Sequence, residues 1–426
     1  MMKYSRLLIA LAFAGLSFTV TAQETFPENG VADKRTGSYA FTNATIVKDA
    51  QTTISNATLL IEDGKIVSVG SGIKIPAGTI TVDCKGKYIY PSFIDIYGDY
   101  GVPTAARSAG FNFFAPAQLT SNTKGAYGWN QAIKSQVNAA ELFTKDDAKA
   151  KLLREQGFGA VLVHQKDGIA RGTGALVTLS DNTENLSILK QRASSHYSFN
   201  KGSSTQSYPG SLMGSIALLR QTFLDARWYK NAPKTEGLNQ SLLAWNNNLS
   251  LPQIFDAGDK WSNLRADRIG DEFGVQFIIK GGTNELERIP QMQATKATFI
   301  LPLNFPQTMD VEDPNDARFI DLATLKAWEM APSNLAAMEK AGINFCITSA
   351  DMRDVKQFMT MLRKAMAYGL SETKALDALT KVPATVLNAY NETGSIDAGK
   401  WANFIITDGP VFAEKTTLLQ NWIQGQ

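Results

Sequence analysis

The chain has 426 residues, 44% of them hydrophobic and 19% charged, which excludes a disordered or collagen-like protein and allows a large domain with a smaller companion. Lys plus Arg number 42 against 40 Asp plus Glu, so no basic surplus points to nucleic acid or anionic lipid. Only two histidines occur, His164 and His196, which argues against most zinc-centred and Ser-His-Asp chemistries, because these need histidine at several fixed places.

Lys3 and Arg6 precede an apolar run from Leu7 to Val20, and Val20-Thr21-Ala22 supplies a small-residue cleavage pattern. The 14-residue run is short of the roughly 20 residues that span a bilayer. Residues 1–22 therefore read as a secretory signal peptide, and the protein is expected to be exported and soluble, periplasmic in a Gram-negative host, with no membrane anchor. Removing Lys3 and Arg6 leaves 40 basic against 40 acidic residues. Cys84 and Cys346 lie in separate apolar runs and read as buried core thiols.

From Tyr39 to Pro91 short strands alternate with turns, including a hairpin at Asp63-Gly64. From Ser92 the pattern becomes apolar strands (FIDIYGD, GAVLVHQ, QIFDAGD, VQFIIKGG, TFILPLN, NFCITSAD) separated by stretches periodic at three to four residues. Strand followed by helix, repeated over about 300 residues, predicts a parallel α/β sheet and fits an eight-stranded barrel. After Thr393 strand character returns in GSIDAGKWANFIITDG and TTLLQNWIQGQ. The expected architecture is a TIM-type (β/α)8 barrel over 92–393, inserted in a small β-sandwich domain built from 23–91 and 394–426. Gly101 to Asn130, rich in Gly, Ala and aromatics, reads as a long loop over the barrel mouth.

Two stretches carry a resemblance. DCKGKYIYPSFIDIYGD resembles the entry into the first barrel strand of the metal-dependent amidohydrolase superfamily, imidazolonepropionase-like branch. ALTKVPATVLNAYNETGSIDAGKWANFIITDGPVF is similar to that family's closing helix and returning strand. The resemblance implies hydrolysis of non-peptide C–N bonds at a site of histidine-held metal, and also implies association with a related domain. The family's His-x-His pair is replaced here by Tyr97 and Asp99, which share a strand face with Asp95. Its later histidines are matched by Asp256 and Lys280, and its last-strand aspartate falls near Ser349-Ala350. Asp351 lies one place out of register and recovers the position only if the strand ends before it.

The pocket candidates are therefore Asp95, Tyr97, Asp99, His164, Asp256, Lys280 and Asp351. Asp256 and Lys280 are expected to form an ion pair on neighbouring strand ends, and His196 to lie in a polar surface loop. The chain is expected to be a non-catalytic amidohydrolase relative, a pseudoenzyme without a metal cofactor, that binds a small ligand or supports a partner, as a homo-oligomer or beside a related domain. The alternative is a hydrolase using one weakly bound divalent cation on Asp99, Asp256 and Asp351. A purely structural exported protein is the third possibility.

Overall fold

The computed structural model describes residues 35–105, 116–231 and 236–426. The signal sequence and Phe111, Phe113 and Phe114 of the long loop lie outside them.

The first described elements form a sheet that opens on two long strands. β1 (Ser38–Asp49) and β2 (Thr52–Glu62) pair antiparallel, and β3 (Lys65–Gly70) continues the meander. The β2–β3 turn is Asp63-Gly64 with φ of 47° and 77°, the left-handed backbone that a tight two-residue hairpin requires. β1 is shared: its first half pairs with β4 (Ile80–Asp83) and its second with β5 (Tyr88–Pro91). The register slips between Phe41 and Ala44, around Asn43 at φ 60°. β14 (Phe404–Thr407) and β15 (Leu418–Trp422) return from the far end of the chain to complete the order β15-β14-β5-β1-β2-β3. Phe41 packs edge-on against Phe404 and Trp422, whose own rings lie nearly parallel. The seven strands, drawn from both ends of the described chain, form one hydrogen-bonded sheet.

The second sheet has eight strands in chain order: β6 (Phe93–Gly98), β7 (Phe158–Val163), β8 (Ala170–Thr178), β9 (Ile188–Ser198), β10 (Gln253–Asp256), β11 (Phe277–Lys280), β12 (Phe299–Pro302) and β13 (Phe345–Thr348). β7 and β8 are buried along their whole length, as befits strands covered on both faces. The expectation of an all-parallel sheet needs correction. β8 runs antiparallel to both β7 and β9, while β6–β7 and the pairs from β9 to β13 are parallel. The loop between β7 and β8 is too short for a crossover helix, so the chain can only turn back.

No backbone ladder joins β13 to β6 among the described residues. Side chains bridge the seam instead: Thr348 Oγ1 donates to Asp95 Oδ1 at 2.5 Å and Ser349 N to Asp95 Oδ2 at 3.0 Å. The sheet is thus curled until its edges meet, without a closed ladder.

Helices cover the outside. Asp146, Ser211, Asp259 and Ser371 cap the helices Asp147–Arg154, Leu212–Lys230, Lys260–Phe273 and Glu372–Leu379 by accepting backbone N–H bonds. The two sheets are tied where Ser92 N donates to Asn403 O and Asn421 Nδ2 to Phe158 O, and residues 35–426 pack as one unit.

Candidate functional site at the carboxyl ends of the curled sheet

Parallel pairing places Asp256 of β10 directly beside Lys280 of β11, because both are the last residue of their strand and side chains at one register point to one face. Lys280 Nζ lies 3.6 Å from Asp256 Oδ1 and also contacts Asp351 Oδ2. The closer partner of Asp256 is Arg171, whose Nη1 donates to Asp256 Oδ2 at 3.0 Å and to the Tyr97 hydroxyl at 2.7 Å. Arg171 and Lys280 are buried, with side chains only 7% exposed. Burial alone would raise the Asp256 pKa, but Arg171, then Lys280, and the Tyr97 phenol outweigh it and hold the carboxyl below its ordinary value. Burial pushes the Tyr97 phenol far up, against the opposing pull of Arg171. The result is a self-neutralised cluster of two cations and two carboxylates around a neutral tyrosine.

Beside it His164 and His196 stack with ring centroids 3.7 Å apart, and the Tyr97 ring lies 4.6 Å from His164. Both are buried, which corrects the expectation of a surface loop at His196: it sits inside β9. Its Nε2 shares a 2.7 Å hydrogen bond with Ser194 Oγ, whereas His196 Nδ1 and both His164 ring nitrogens have no partner. Burial, together with the nearby His196 ring and the Arg171 charge, keeps His164 neutral far below its ordinary range. Burial and Arg171 lower His196 to about 3. Gly174 belongs to this packing, since a Cβ there would stand 2.6 Å from both His196 Nε2 and Ser194 Oγ. Ser194 and His196 resemble a nucleophile and base only in their contact. Both are sealed from solvent, and nothing orients the other ring nitrogen.

At the seam Asp95 is buried and accepts from Tyr97 N, Thr348 Oγ1, Ser349 N and Ser349 Oγ. It is a brace, with its lone pairs committed to β6 and β13. β13 ends at Thr348, so Asp351 lies beyond the strand in left-handed backbone, φ 65°, and its side chain turns to Lys280. A cavity of about 290 Å³ opens here. Asp95, Tyr97, Asp99 and Asp351 line it, but His164, Asp256 and Lys280 do not. Lys166, also in its wall, stands 5.2 Å over the Tyr97 ring and 3.6 Å from Asp99 Oδ2.

A hydrolytic metal needs three or four unpaired donors converging on one point. Asp256 and Asp351 face ammonium and guanidinium groups, Asp95 is saturated by hydrogen bonds, and the two imidazoles lie face to face. No group of three or more His, Cys, Asp or Glu among the described residues is arranged to hold a metal ion. The donor set does not fit a bound metal.

Sequence reasoning missed Arg171, Lys166 and Thr348, and placed Ser349 only as the position of the resembled family's last-strand aspartate. Only Thr348–Ser349 left a signal, as the polar end of an apolar strand.

Residues 313–425 match the amidohydrolase family. Among solved structures, an amidohydrolase from Thermotoga maritima is 20% identical, with 91% of this chain and 98% of that one covered at a TM-score of 0.71. A Xaa-Pro dipeptidase is 12% identical over 91% of this chain and 99% of that one, TM-score 0.53. No curated protein matches the chain. At these identities the structures speak for the fold alone, a TIM-barrel-type α/β fold, and the family match adds the sequence signature at its closing end. Over residues 313–425 the chain is thus similar to the amidohydrolase family, and its fold is of the kind these solved structures share.

Proposed function

We propose that this chain is an exported, non-catalytic amidohydrolase relative whose barrel mouth binds a small molecule. The observation that carries the reading is the Arg171–Asp256–Lys280–Asp351 cluster: charges that pair with one another stand at the strand ends where a hydrolase of this fold would present its metal ligands. A buried cation beside each carboxylate neutralises the site at a cost that an unpaired charge would make far larger. It also engages Asp256 Oδ1 and Oδ2 and Asp351 Oδ2, oxygens that a metal able to polarise a carbonyl or ionise a water would need as ligands. An adjacent cavity with a mixed polar and apolar lining remains for a ligand.

Elemental analysis after dialysis tests this, together with a screen of amide, lactam and cyclic imide substrates with and without added divalent cation. The expected result is well under one transition-metal ion per chain and no turnover. Tightly held zinc or iron near stoichiometry would overturn the reading. Cation-dependent turnover abolished by Asp351→Asn would instead favour a hard cation on Asp99, Asp256 and Asp351. Export rests on the first 22 residues, and mature protein from the native host is expected to begin at or close to Gln23.

A further inference from the structure

The seam cavity carries charges of both signs against an apolar wall. At about 290 Å³ it lies at the lower edge of the ~300–1,000 Å³ usual for small-molecule sites, which suits a ligand of about amino-acid size. Tyr100, Leu152, Met352 and Val355 supply apolar lining, and Lys149, Lys166, Asp99 and Asp351 supply charge.

These four charges are only partly committed. Lys149 forms no ion pair among the described residues. Lys166 and Asp99 are 3.6 Å apart with the Asp99 side chain 55% exposed, beyond the ~2.7–2.9 Å of a tight charge-assisted hydrogen bond. Asp351 uses Oδ2 for Lys280 and is 42% exposed, so its other oxygen remains available. Asp95 and Tyr97, by contrast, are fully engaged in the seam and the buried cluster.

A simple anion in this cavity would meet Lys149 and Lys166 but also face Asp99 and Asp351. A simple cation would meet the reverse. Only a ligand bearing both charges satisfies both pairs, and it does so by parting an ion pair that is already loose. We infer that the seam cavity takes a small zwitterion with an apolar side group, a free α-amino acid of leucine to phenylalanine size. Its carboxylate goes to Lys149 and Lys166, its ammonium to Asp99 and Asp351, and its side chain lies on the wall formed by Leu152, Met352 and Val355. This rests on the ligand-binding reading above and names the ligand class for the same mouth.

The test is calorimetric titration of the full chain with four probes: L-leucine, L-phenylalanine, 4-methylpentanoate and 3-methylbutylamine. The last two are leucine without its amine and without its carboxylate. The amino acids are expected to bind at least about tenfold more tightly than either truncated probe. Lys166→Gln, which removes one charge, and Leu152→Trp, which narrows the cavity at its exposed rim, should each weaken leucine by a similar factor with unchanged circular dichroism and melting temperature. Equal binding of a truncated probe overturns the inference, as does binding of no probe at millimolar concentration. A thermal-shift screen of neutral and multiply charged metabolites separates the two levels. A hit there with the amino acids silent rejects the zwitterion and keeps the ligand-binding reading, whereas silence throughout rejects both.

Discussion

His164 and His196, brought together from the end of β7 and from β9, stack face to face with centroids 3.7 Å apart and planes 6° from parallel. Two imidazoles at that separation cannot both be charged in a dry interior, and a third charge, Arg171, stands close enough to oppose either protonation.

Acid should therefore unfold this protein through its histidines before its carboxylates. In the unfolded chain each ring takes a proton near its ordinary 6.5, whereas in the native state His196 waits until about 3 and His164 is lowered well below 6.5. Between those limits the unfolded state holds more protons, so stability is complete above pH 6.5 and falls as pH drops. Each histidine removes up to about 1.4 kcal/mol per pH unit. Denaturant unfolding at a series of pH values from 7 to 4 measures the slope, and His196→Gln should roughly halve it. A flat profile would show that the rings are solvated or already protonated in the native state.

The charge cluster yields a second expectation, in which Arg171 matters more than Lys280. Asp256→Leu leaves the Arg171 guanidinium, 7% exposed, with only the Tyr97 oxygen and a backbone carbonyl. Stranding a buried charge costs about 3–5 kcal/mol. Arg171→Met alone should also be costly, since the one cation left to Asp256 is then Lys280 at 3.6 Å. Lys280→Met should be milder, because Asp256 keeps Arg171 and Asp351 turns to solvent. The double change Arg171→Met with Asp256→Leu should cost less than the sum of its singles, as read by urea unfolding. Strict additivity would mean that the two side chains do not interact in solution.

What could be read from the sequence, and what could not, follows from how each strand hides its polarity. Asp95 and Tyr97 were legible because each is a polar group set in a short apolar strand, β6. Asp256 and Lys280 were legible because each closes a short apolar run, so parallel pairing brings them side by side. β8 was not legible: ARGTGALVT opens on Arg and two glycines and reads as a loop, although Gly172 at φ 81° simply lets the strand pass against Val137. His196 is hard to place from the sequence because RASSHYS is mostly polar. The strand is nonetheless buried, since its hydroxyls are satisfied internally: Ser194 on His196, Ser195 Oγ on the Tyr97-facing strand's own Tyr197 hydroxyl, and Ser198 Oγ on Gly168 O. Hydroxyls that find partners inside a sheet remove the cost that normally keeps such a run at the surface.

The long loop after β6 supplies a further prediction. Its described aromatics Tyr127 and Trp129 are 38% and 50% exposed, and the Trp129 ring lies nearly parallel to Tyr208 with centroids 6.0 Å apart. Gln206 holds residues 119–131 of it by donating to the carbonyls of Leu119 and Trp129 and accepting from Gln131 N. Large aromatic side chains held exposed, as Tyr127 and Trp129 are, suit an interface. Removing Phe111 to Phe114 from the same loop should weaken self-association in sedimentation velocity without lowering the melting temperature. An unchanged sedimentation profile, with loss of a small ligand instead, would make the loop a lid.

The last prediction concerns the seam. β6 and β13 meet through Asp95 rather than through a backbone ladder, and this one carboxylate accepts hydrogen bonds from two backbone amides and two hydroxyls. Hydrogen bonds to a charged group are worth about 1.5–3 kcal/mol each when a partner is removed. Thr348→Val keeps the shape of the side chain but deletes the donor to Asp95 and the acceptor of Ala350 N, so it should destabilise by at least about that amount. Asp95→Ala should cost more, because the amides of Tyr97 and Ser349 lose their acceptor inside the fold. Hydrogen exchange distinguishes a local brace from a global one. If Asp95 closes the barrel, the amides of β6 and β13 should lose protection in Thr348→Val before those of β10 and β11, whose ladders are intact on both sides. Uniform loss across all eight strands would mean that the seam has no independent opening and that packing of the covering helices, rather than Asp95, holds the edges together.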